Sequence, residues 1–427
     1  MKRQIFARFI VLAFAVCTGL LACKSTPAAK SSENSVSVTL EISTSDVLNQ
    51  LLRYEEADPS YLKAFSMAIE KQTTDTTKHF VDLFADAWNE VEPSGRLSRI
   101  FSTYELRDQV SPESANEEVI RVLRSECDMA MANTMHVLRA RIDRYGVTGV
   151  EARRIGLSDK VELEVTGVEN PKRLFNLLTI QGRLGFWETY GNVSWDDVSI
   201  FDMMVKANDV IRQLNGVETL EDAGDLTVEE YNEQNPLFAI LQSSVDPNGQ
   251  PYQSACIGIA SASDTARVNE LLRIPEVRII FPLDLRFLWS LKSIGMEEGS
   301  YLDLVAIKAN TRDGRAPVDG DVIVDAKLEQ NKRSGSWEVL VAMNAEGSRT
   351  WAQMTADNVG RSIAIVIDDR VYSYPMVNGE ITGGQSMITG NFTQEDAEEM
   401  VIMLKSGRLP VPVKILDKTA EEKNDTM

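Results

Sequence analysis

Histidine and cysteine are scarce in this chain of 427 residues, which contains two of the first and four of the second. His79 and His136 both fall in segments with helical patterns and stand apart from the cysteines. A zinc site needs three or four such ligands together. The HExxH, Walker, GxGxxG and GxSxG patterns are also missing from the sequence. We therefore expect no metal, no cofactor and no enzymatic activity.

Two weaker patterns keep a hydrolase as a low-ranking hypothesis. Ser60 and Lys63 have the spacing of an SxxK nucleophile motif, but the partner motifs of that enzyme class are missing. Asp319, Asp321 and Asp325 lack the rest of an EF-hand loop, and a polar turn explains them better. An envelope hydrolase built on Ser60 or on these aspartates therefore ranks last.

Positive charge is in deficit, with 44 Lys and Arg against 64 Asp and Glu and a formal net charge of −20. An anionic surface gains nothing from counterion release on nucleic acid and is repelled by anionic head groups. Nucleic acid is therefore not an expected partner.

Long apolar runs are missing except at the amino terminus, where Lys2, Arg3 and Arg8 precede the uncharged segment 9–22. This segment is short for a membrane span and is typical of a secretory signal. Leu20-Leu21-Ala22-Cys23 resembles the lipobox of bacterial lipoproteins, which implies cleavage before Cys23 and its lipidation. We expect a signal peptide over 1–22, a lipidated linker over 23–35 and a periplasmic location on either the inner or the outer membrane. An uncleaved anchor or an ordinary signal peptide is the alternative.

Two further cysteines, Cys127 and Cys256, would lie in an oxidising compartment. Their spacing suits neither a zinc site nor a redox pair. The sequence leaves open whether they form a disulfide or stay as two buried thiols.

The order of predicted elements indicates an α+β protein. "SVSVTLEI" alternates apolar and polar residues like a half-buried strand, and the apolar spacing predicts one long helix over about 113–145. Strands at "KVELEVTG" and "RLGFWETY" enclose a short helix that begins near Pro171. Acidic stretches from about residue 186 have the composition of surface loops. A later hairpin turns near Asp368, and Thr393 caps a helix that ends at Gly407.

Four segments in order carry a family resemblance. They are "LRARIDRYGVTGVEARRIG", "VELEVTGVENPKRLFNLLTIQGRLGFWETY", "MNAEGSRTWAQMTADNVGRSIAIVIDDRVYSYPMV" and "EITGGQSMITGNFTQEDAEEMVIMLKSGRLPVPVKI". Together they resemble the large periplasmic domain of SecD, and most closely that of the fused SecDF proteins of the Bacteroidetes type. The resemblance covers about residues 36–415.

This resemblance implies a ferredoxin-like base with an α+β head inserted into it through a hinge. The implied base comprises residues 36–185, with additional helical segments, and 387–416; the head comprises 186–386, and a disordered tail covers 417–427. In the family, movement of head against base is thought to pull an emerging polypeptide outward. The residues implied at the hinge or at a polypeptide or partner surface are Arg141, Gly146, Val147, Asn344, Gly347, Asn358, Gly360, Asp368, Tyr372, Gly383, Gly384, Gly390 and Phe392. Trp351, Tyr374 and Met376, together with Tyr372, are further candidates for the binding surface, and a structural role is the alternative for every one of these residues.

The sequence departs from a SecD chain in three places. A lipoprotein signal stands where SecD has a membrane helix, the family's glycine-rich "DLKGG"-like motif is replaced by "SENSVSVTLEI", and little follows Ile415. We therefore expect a polypeptide-facing domain without its own proton-coupled membrane part.

Two functional hypotheses follow from this expectation. In the first, a lipid-anchored protein assists Sec-dependent export or envelope protein handling by transiently binding unfolded exported polypeptides, as a strand edge can do. In the second, it is a scaffold or adaptor that docks on a membrane partner such as the Sec translocase without binding substrate.

Overall fold

The structure is a computed structural model that describes residues 34–52, 58–75, 77–193, 199–220, 226–246, 248–291, 300–311 and 314–421. The predicted signal peptide, the lipidation site Cys23 and most of the linker lie outside these residues, as do residues 422–427 of the predicted tail.

The helices of the described residues are α1 (Ser45–Gln50), α2 (Pro59–Thr74), α3 (Phe80–Val91), α4 (Ser98–Phe101), α5 (Asn116–Tyr145), α6 (Pro171–Thr179), α7 (Ile200–Leu214), α8 (Val228–Gln234), α9 (Thr265–Arg273), α10 (Pro275–Arg278), α11 (Ala345–Asp357) and α12 (Gln394–Ser406). The strands are β1 (Ser35–Ile42), β2 (Gly149–Arg154), β3 (Lys160–Thr166), β4 (Leu184–Glu188), β5 (Gln242–Ser243), β6 (Cys256–Ser261), β7 (Leu285–Ser290), β8 (Tyr301–Lys308), β9 (Val318–Asp319), β10 (Ile323–Gln330), β11 (Trp337–Met343), β12 (Ile363–Ile367), β13 (Arg370–Ser373), β14 (Gln385–Phe392) and β15 (Val413–Glu421).

A four-stranded antiparallel sheet of order β15-β1-β3-β2, called the base sheet below, joins the two ends of the described chain. β1 buries every second residue, as its period-2 sequence predicts. Val38 pairs with Leu163 of β3, and Ile42 pairs with Val413 of β15. With α5 and α6, these strands follow one another as β–α–β–β–α–β, the element order of a ferredoxin-like unit. The predicted α+β class is confirmed.

The additional helices α1 to α4 pack into the same core as the base sheet. α3 has a strongly apolar face, and its Phe84 contacts Tyr61 of α2 and Phe101 of α4 at ring-centroid distances of 5.6 and 6.4 Å. α5 begins at Asn116 and ends at Tyr145, and its C-cap residue Gly146 has a φ of 92°, which suits the left-handed end of a helix. The long predicted helix is therefore present, with a start three residues later than predicted.

The middle of the chain forms an eight-stranded sheet of order β5-β6-β8-β7-β13-β12-β4-β9, called the large sheet below. The region after residue 186 is more regular than its acidic composition suggested, since α7 lies within it. Ile200, Met204, Ala207 and Ile211 are buried on one face of α7. Their spacing of three and four residues is the helical signal that the acidic neighbours obscured.

A three-stranded sheet of order β10-β11-β14, called the small sheet below, receives the segment predicted to return to the base at residue 387. β14 pairs with β11, and Met400 and Met403 of α12 pack in one core with strands β11 and β12. Only β15 enters the base sheet. It extends to Glu421, so residues 417–421 of the predicted disordered tail form a strand that pairs with β1.

No helix within the described ranges is long and apolar enough to cross a membrane. Cys127 and Cys256 are both buried, and neither forms a disulfide.

Candidate functional site

The chain passes between the base sheet and the rest of the structure at two adjacent connections. The outgoing connection, residues 180–183, links α6 to β4, and the return connection, residues 407–412, links α12 to β15. The backbone N–H of Leu409 donates to the carbonyl oxygen of Gln181 at 2.8 Å. The two connections therefore lie side by side, and we call this region the junction.

Arg141 of α5 holds both connections. Its side chain is completely buried and donates to the carbonyl oxygens of Leu177 (2.8 Å), Ile180, Gln181 (3.0 Å) and Gly407 (3.1 Å). Burial lowers the pKa of Arg141 to about 10, an effect that the nearby Asp368 carboxylate opposes. The guanidinium thus stays charged at neutral pH, and its planar fork joins α6, the outgoing connection and the return connection.

Asp368 attaches the hairpin of β12 and β13 to the outgoing connection. Asp368 and Asp369 have φ values of 49° and 64°, as the two central residues of a tight hairpin turn require. The Asp368 carboxylate accepts the backbone N–H groups of Gly182 (3.0 Å) and Arg183 (2.9 Å). Two charge-assisted hydrogen bonds thus fix Asp368, whose backbone conformation is sparsely populated.

Ionic contacts also join α12 to α6. Arg173 donates to Glu398 at 2.8 Å and to Glu399 at 2.9 Å, and Asn176 donates to Glu399 at 2.8 Å. Burial raises the pKa of Glu399, although its contacts with Asn176 and Arg173 oppose that shift. Partly buried charged side chains therefore hold α6 and α12 together, in addition to apolar packing.

A cleft of about 460 Å³ opens at the junction between α6, α12, β14 and the hairpin of β12 and β13. Its apolar lining includes Ile180, Tyr372, Phe392, Met400 and Met403, and its polar lining includes Arg370, Asp368, Asp396 and Glu399. Burial raises the pKa of the Tyr372 phenol, and the negative charge of Asp368 adds to that shift. Methionine side chains adapt to ligands of different shape, so this lining suits varied apolar side chains.

Three of the predicted residues, Asp368, Tyr372 and Phe392, thus line one cleft, and Arg141 lies beside it. Several others shape the surroundings of α11. Asn344 is the N-cap of α11 and accepts the N–H of Gly347 at 2.8 Å. A Cβ on Gly347 would lie 2.5 Å from Val322, and one on Gly384 would lie 2.0 Å from the Ser348 hydroxyl. Glycine at these two positions lets the backbone lie close to the side chains of Val322 and Ser348.

The remaining predicted residues lie elsewhere. Gly146, Gly360 and Gly383 have positive φ, and Gly390 faces the Phe392 ring. Asn358 is buried at the end of α11, Tyr374 donates to the buried Asp303 at 2.7 Å, and Trp351 is buried against Phe186. Met376 is half exposed and Val147 packs on the base core. The structure therefore does not gather these residues into one surface.

Sequence reasoning missed the roles of Arg173 and Glu399. They are 226 residues apart, and each stands in an ordinary amphipathic helix. Met400, which also lines the cleft, is a buried apolar residue of the same helix as Glu399. No local pattern marks these residues as lining or closing a cleft.

Comparisons with known proteins identify relatives of this chain. Residues 306–411 match the family described as SecDF, P1 head subdomain, a match that extends over β14 and α12. The protein translocase subunit SecD of Rhodothermus marinus is 31% identical over 392 residues, which are 89% of this chain and 60% of the relative. SecD of Calditerrivibrio nitroreducens is 38% identical over 102 residues, which are 24% of this chain and 20% of the relative.

Solved structures of SecDF also match. A crystal structure of SecDF in a super-membrane-facing form aligns with a TM-score of 0.37 and 20% identity, over 68% of this chain and 28% of that chain. A structure described as that of a membrane component SecDF that enhances protein export aligns with a TM-score of 0.35 and 19% identity, over 68% of this chain and 92% of that chain.

The curated matches define the class: the chain is a relative of protein translocase subunits, and it spans about 60% of the length of its Rhodothermus relative. Both of these relatives are SecD subunits, and the matching family model is one of SecDF. The resemblance predicted from the sequence is confirmed along most of the chain, and residues 306–411 carry the pattern of the P1 head subdomain.

Proposed function

We propose that this protein assists Sec-dependent protein export, or the later handling of envelope proteins, by transiently binding unfolded polypeptide. The observation that carries this proposal is the cleft at the junction, which combines an adaptable apolar lining with acidic groups and reaches the outgoing connection at Ile180. Relatedness to SecD over 89% of the chain supports a role in export. The binding is non-enzymatic, and Sec translocase subunits are further candidate partners.

The chemistry of the cleft favours segments of unfolded chain over folded surfaces. Apolar side chains that are buried in a folded protein become available only when it unfolds. Asp368, Asp396 and Glu399 add acidic groups that suit basic residues flanking such segments. The ligand class is therefore an unfolded polypeptide with apolar and basic side chains.

Attachment to a membrane would come from lipid at Cys23, on the periplasmic side of the cell envelope. Several acyl chains on one residue supply a stable anchor, whereas a single chain holds only marginally. Replacing Cys23 by alanine should move the protein from the membrane fraction to the soluble fraction and abolish labelling by a radioactive fatty acid. Unchanged fractionation and labelling would contradict the proposed anchor.

The binding proposal is tested with one polypeptide in two states. A reduced and carboxymethylated exported protein, which cannot refold, should bind the purified protein, while the same protein in its native disulfide-bonded form should not. Equal binding of the two forms, or no binding of either, would contradict the proposal.

The partner in the cell is tested by photocrosslinking. A photoreactive residue at Arg370, an exposed position that lines the cleft, should capture many exported precursors, while one at Leu62 on α2 serves as a control that is also exposed. Capture at position 370 of only one or two membrane proteins, with no precursors, would instead support a scaffold that docks on the translocase.

A further inference from the structure

Two exposed aliphatic side chains project from the loop between α10 and β7. Ile279 and Leu283 are 81% and 96% exposed, the highest values among the large apolar side chains of the described residues. Val277, Phe281 and Leu285 alternate with them and are buried in one core cluster. The buried side chains hold the loop in place, so the two exposed ones stand out from a fixed surface. We call Ile279 and Leu283 the apolar tip.

Arg278 supplies hydrogen-bond donors to this loop. The residue is half-buried, and its guanidinium donates to the carbonyl oxygens of Phe281 (3.3 Å), Pro282 (2.9 Å), Leu283 (2.9 Å) and Leu285 (3.3 Å). In an exposed loop, water can satisfy such backbone groups. Here one side chain of the same loop satisfies four of them.

Backbone N–H groups of the loop also pair within the protein. Four of them donate to carbonyl oxygens at 3.1 to 3.3 Å: Ile279 to Pro275, Ile280 to Val277, Phe281 to Arg278 and Leu285 to Pro282. An apolar phase offers no hydrogen bonds, so each unpaired backbone group that enters it costs free energy. Internal pairing of its backbone therefore lowers the cost of moving this loop from water into lipid.

The shape and charge of the apolar tip favour a bilayer over a protein partner. A side chain that is 96% exposed projects from the surface, and a protein would need a matching pocket to bury it, whereas fluid acyl chains close around a projecting side chain. Residues 279–283 read IIFPL and include no polar side chain. Attraction to anionic head groups is not expected, because the chain has a net charge of −20 and Glu276 beside the loop is exposed. Burial of apolar surface is therefore the driving force.

We propose that the apolar tip inserts its two side chains into a bilayer of zwitterionic lipids, about 5–10 Å deep at the boundary of head groups and acyl chains. The ligand is thus a lipid surface, and this contact is separate from the predicted attachment at the amino terminus. The inference goes beyond the proposed function, because it requires neither a bound polypeptide nor the junction cleft.

The insertion is tested with a fluorescent amino acid incorporated at position 283 of the full chain. The chain is reconstituted into phosphatidylcholine vesicles that contain a spin-labelled lipid, which quenches the probe from the acyl-chain side, while iodide quenches it from water. We expect quenching by the lipid and protection from iodide. The same probe at Val228, which is 72% exposed at the start of α8, is the matched control and should show the reverse. Equal behaviour at the two positions, or full access of iodide to position 283, would overturn the proposal.

Two variants test the parts of the loop. Ile279→Ser removes one of the two tip side chains and keeps the probe position, so the ratio of lipid-inserted to water-exposed probe should fall about tenfold. The midpoint of urea unfolding should not change, since the side chain is exposed. Arg278→Lys keeps the charge and both tip side chains but removes the planar fork, which leaves carbonyls unpaired and should also reduce insertion. Unchanged insertion in Ile279→Ser would overturn the proposal, and unchanged insertion in Arg278→Lys would overturn the role of internal pairing.

Lipid composition separates apolar insertion from attraction between charges. Phosphatidylglycerol in the vesicles should weaken insertion, because it repels the anionic chain, and added salt should restore insertion by screening that repulsion. Stronger insertion into the anionic vesicles would overturn the proposal.

Two further readouts separate this inference from other contacts. Protection of position 283 from iodide without vesicles, rising with protein concentration, would assign the apolar tip to a second copy of the chain and overturn lipid insertion. Carboxymethylated polypeptide is added to the same vesicles, and its binding is measured. If it binds while position 283 stays open to iodide, the proposed function stands and this inference alone fails.

Discussion

Replacing Arg141 by lysine would keep a positive charge at the junction and remove the planar fork. The guanidinium donates to four carbonyl oxygens that belong to α6 and to both connections. An ammonium group is a compact donor on a flexible stem. We expect it to satisfy at most two of these acceptors, because they surround the fork from different segments of the chain.

The magnitude follows from the acceptors left without a donor. Each buried polar group that loses its partner costs about 1 kcal/mol at the lower end of the usual range. The Gln181 carbonyl keeps the N–H of Leu409 as a donor, so one or two carbonyls are left unpaired and the free energy of unfolding falls by about 1–2 kcal/mol. The pKa of Arg141 is about 10, so the guanidinium is charged at pH 7. Burial lowers the pKa of a lysine at this position as well, so the variant is also measured below pH 7, where its ammonium group stays charged and the comparison isolates donor geometry.

Two measurements check this prediction. Urea denaturation gives the global free energy of unfolding, and hydrogen exchange gives the local protection of residues 180–184 and 407–410. Exchange should accelerate at both connections together, since one side chain holds both. The control is Arg139→Lys, an exposed position on the same helix. Unchanged exchange at the connections, with a stability within about 0.5 kcal/mol of the wild type, would refute the reasoning.

Three other predictions concern the fold around the site. Gly384→Ala should lower the free energy of unfolding by at least about 1 kcal/mol, because φ is +68° and the new Cβ would meet the Ser348 hydroxyl, whereas Gly379→Ala, which has open space, should be nearly neutral in the same urea titration. Thr393→Ala should cost about 1 kcal/mol by removing the cap of α12, and Thr393→Ser should restore it. Burial raises the pKa of Asp159 despite hydrogen bonds from Thr44 and Gln72, so the folded state binds this proton more tightly than the unfolded state does. Stability therefore falls as pH rises from about 3.9, the unfolded pKa, through the raised folded pKa, and stays lower above it. Asp159→Asn should lack this fall, and parallel pH profiles of the variant and the wild type would contradict the assignment.

Local patterns in the sequence predicted individual elements well. The long helix α5 follows from apolar residues spaced three and four apart, and the hairpin at Asp368 follows from two residues that tolerate positive φ. The order of strands could not be read in the same way. β14 joins β11 rather than the base sheet, because the pairing depends on contacts between segments that are distant in sequence.

The candidate site was only partly predictable. Arg141 came from the family resemblance, although a cation next to Leu138 and Ile142 on the buried stripe of a helix is itself a sign of a buried polar contact. The positions of Asp368 and Tyr372 at one cleft depend on the docking of the hairpin against the outgoing connection.

The hydrogen bond between Leu409 and Gln181 has a consequence for engineering. Residues 182–408 leave and re-enter the base at points joined by one contact of 2.8 Å. A segment whose ends meet can be excised and the gap closed with a short linker, as in domain insertion and circular permutation. A few glycines and serines between Gln181 and Leu409 would give the base as one continuous chain, and the excised segment would become a cassette for grafting into other scaffolds.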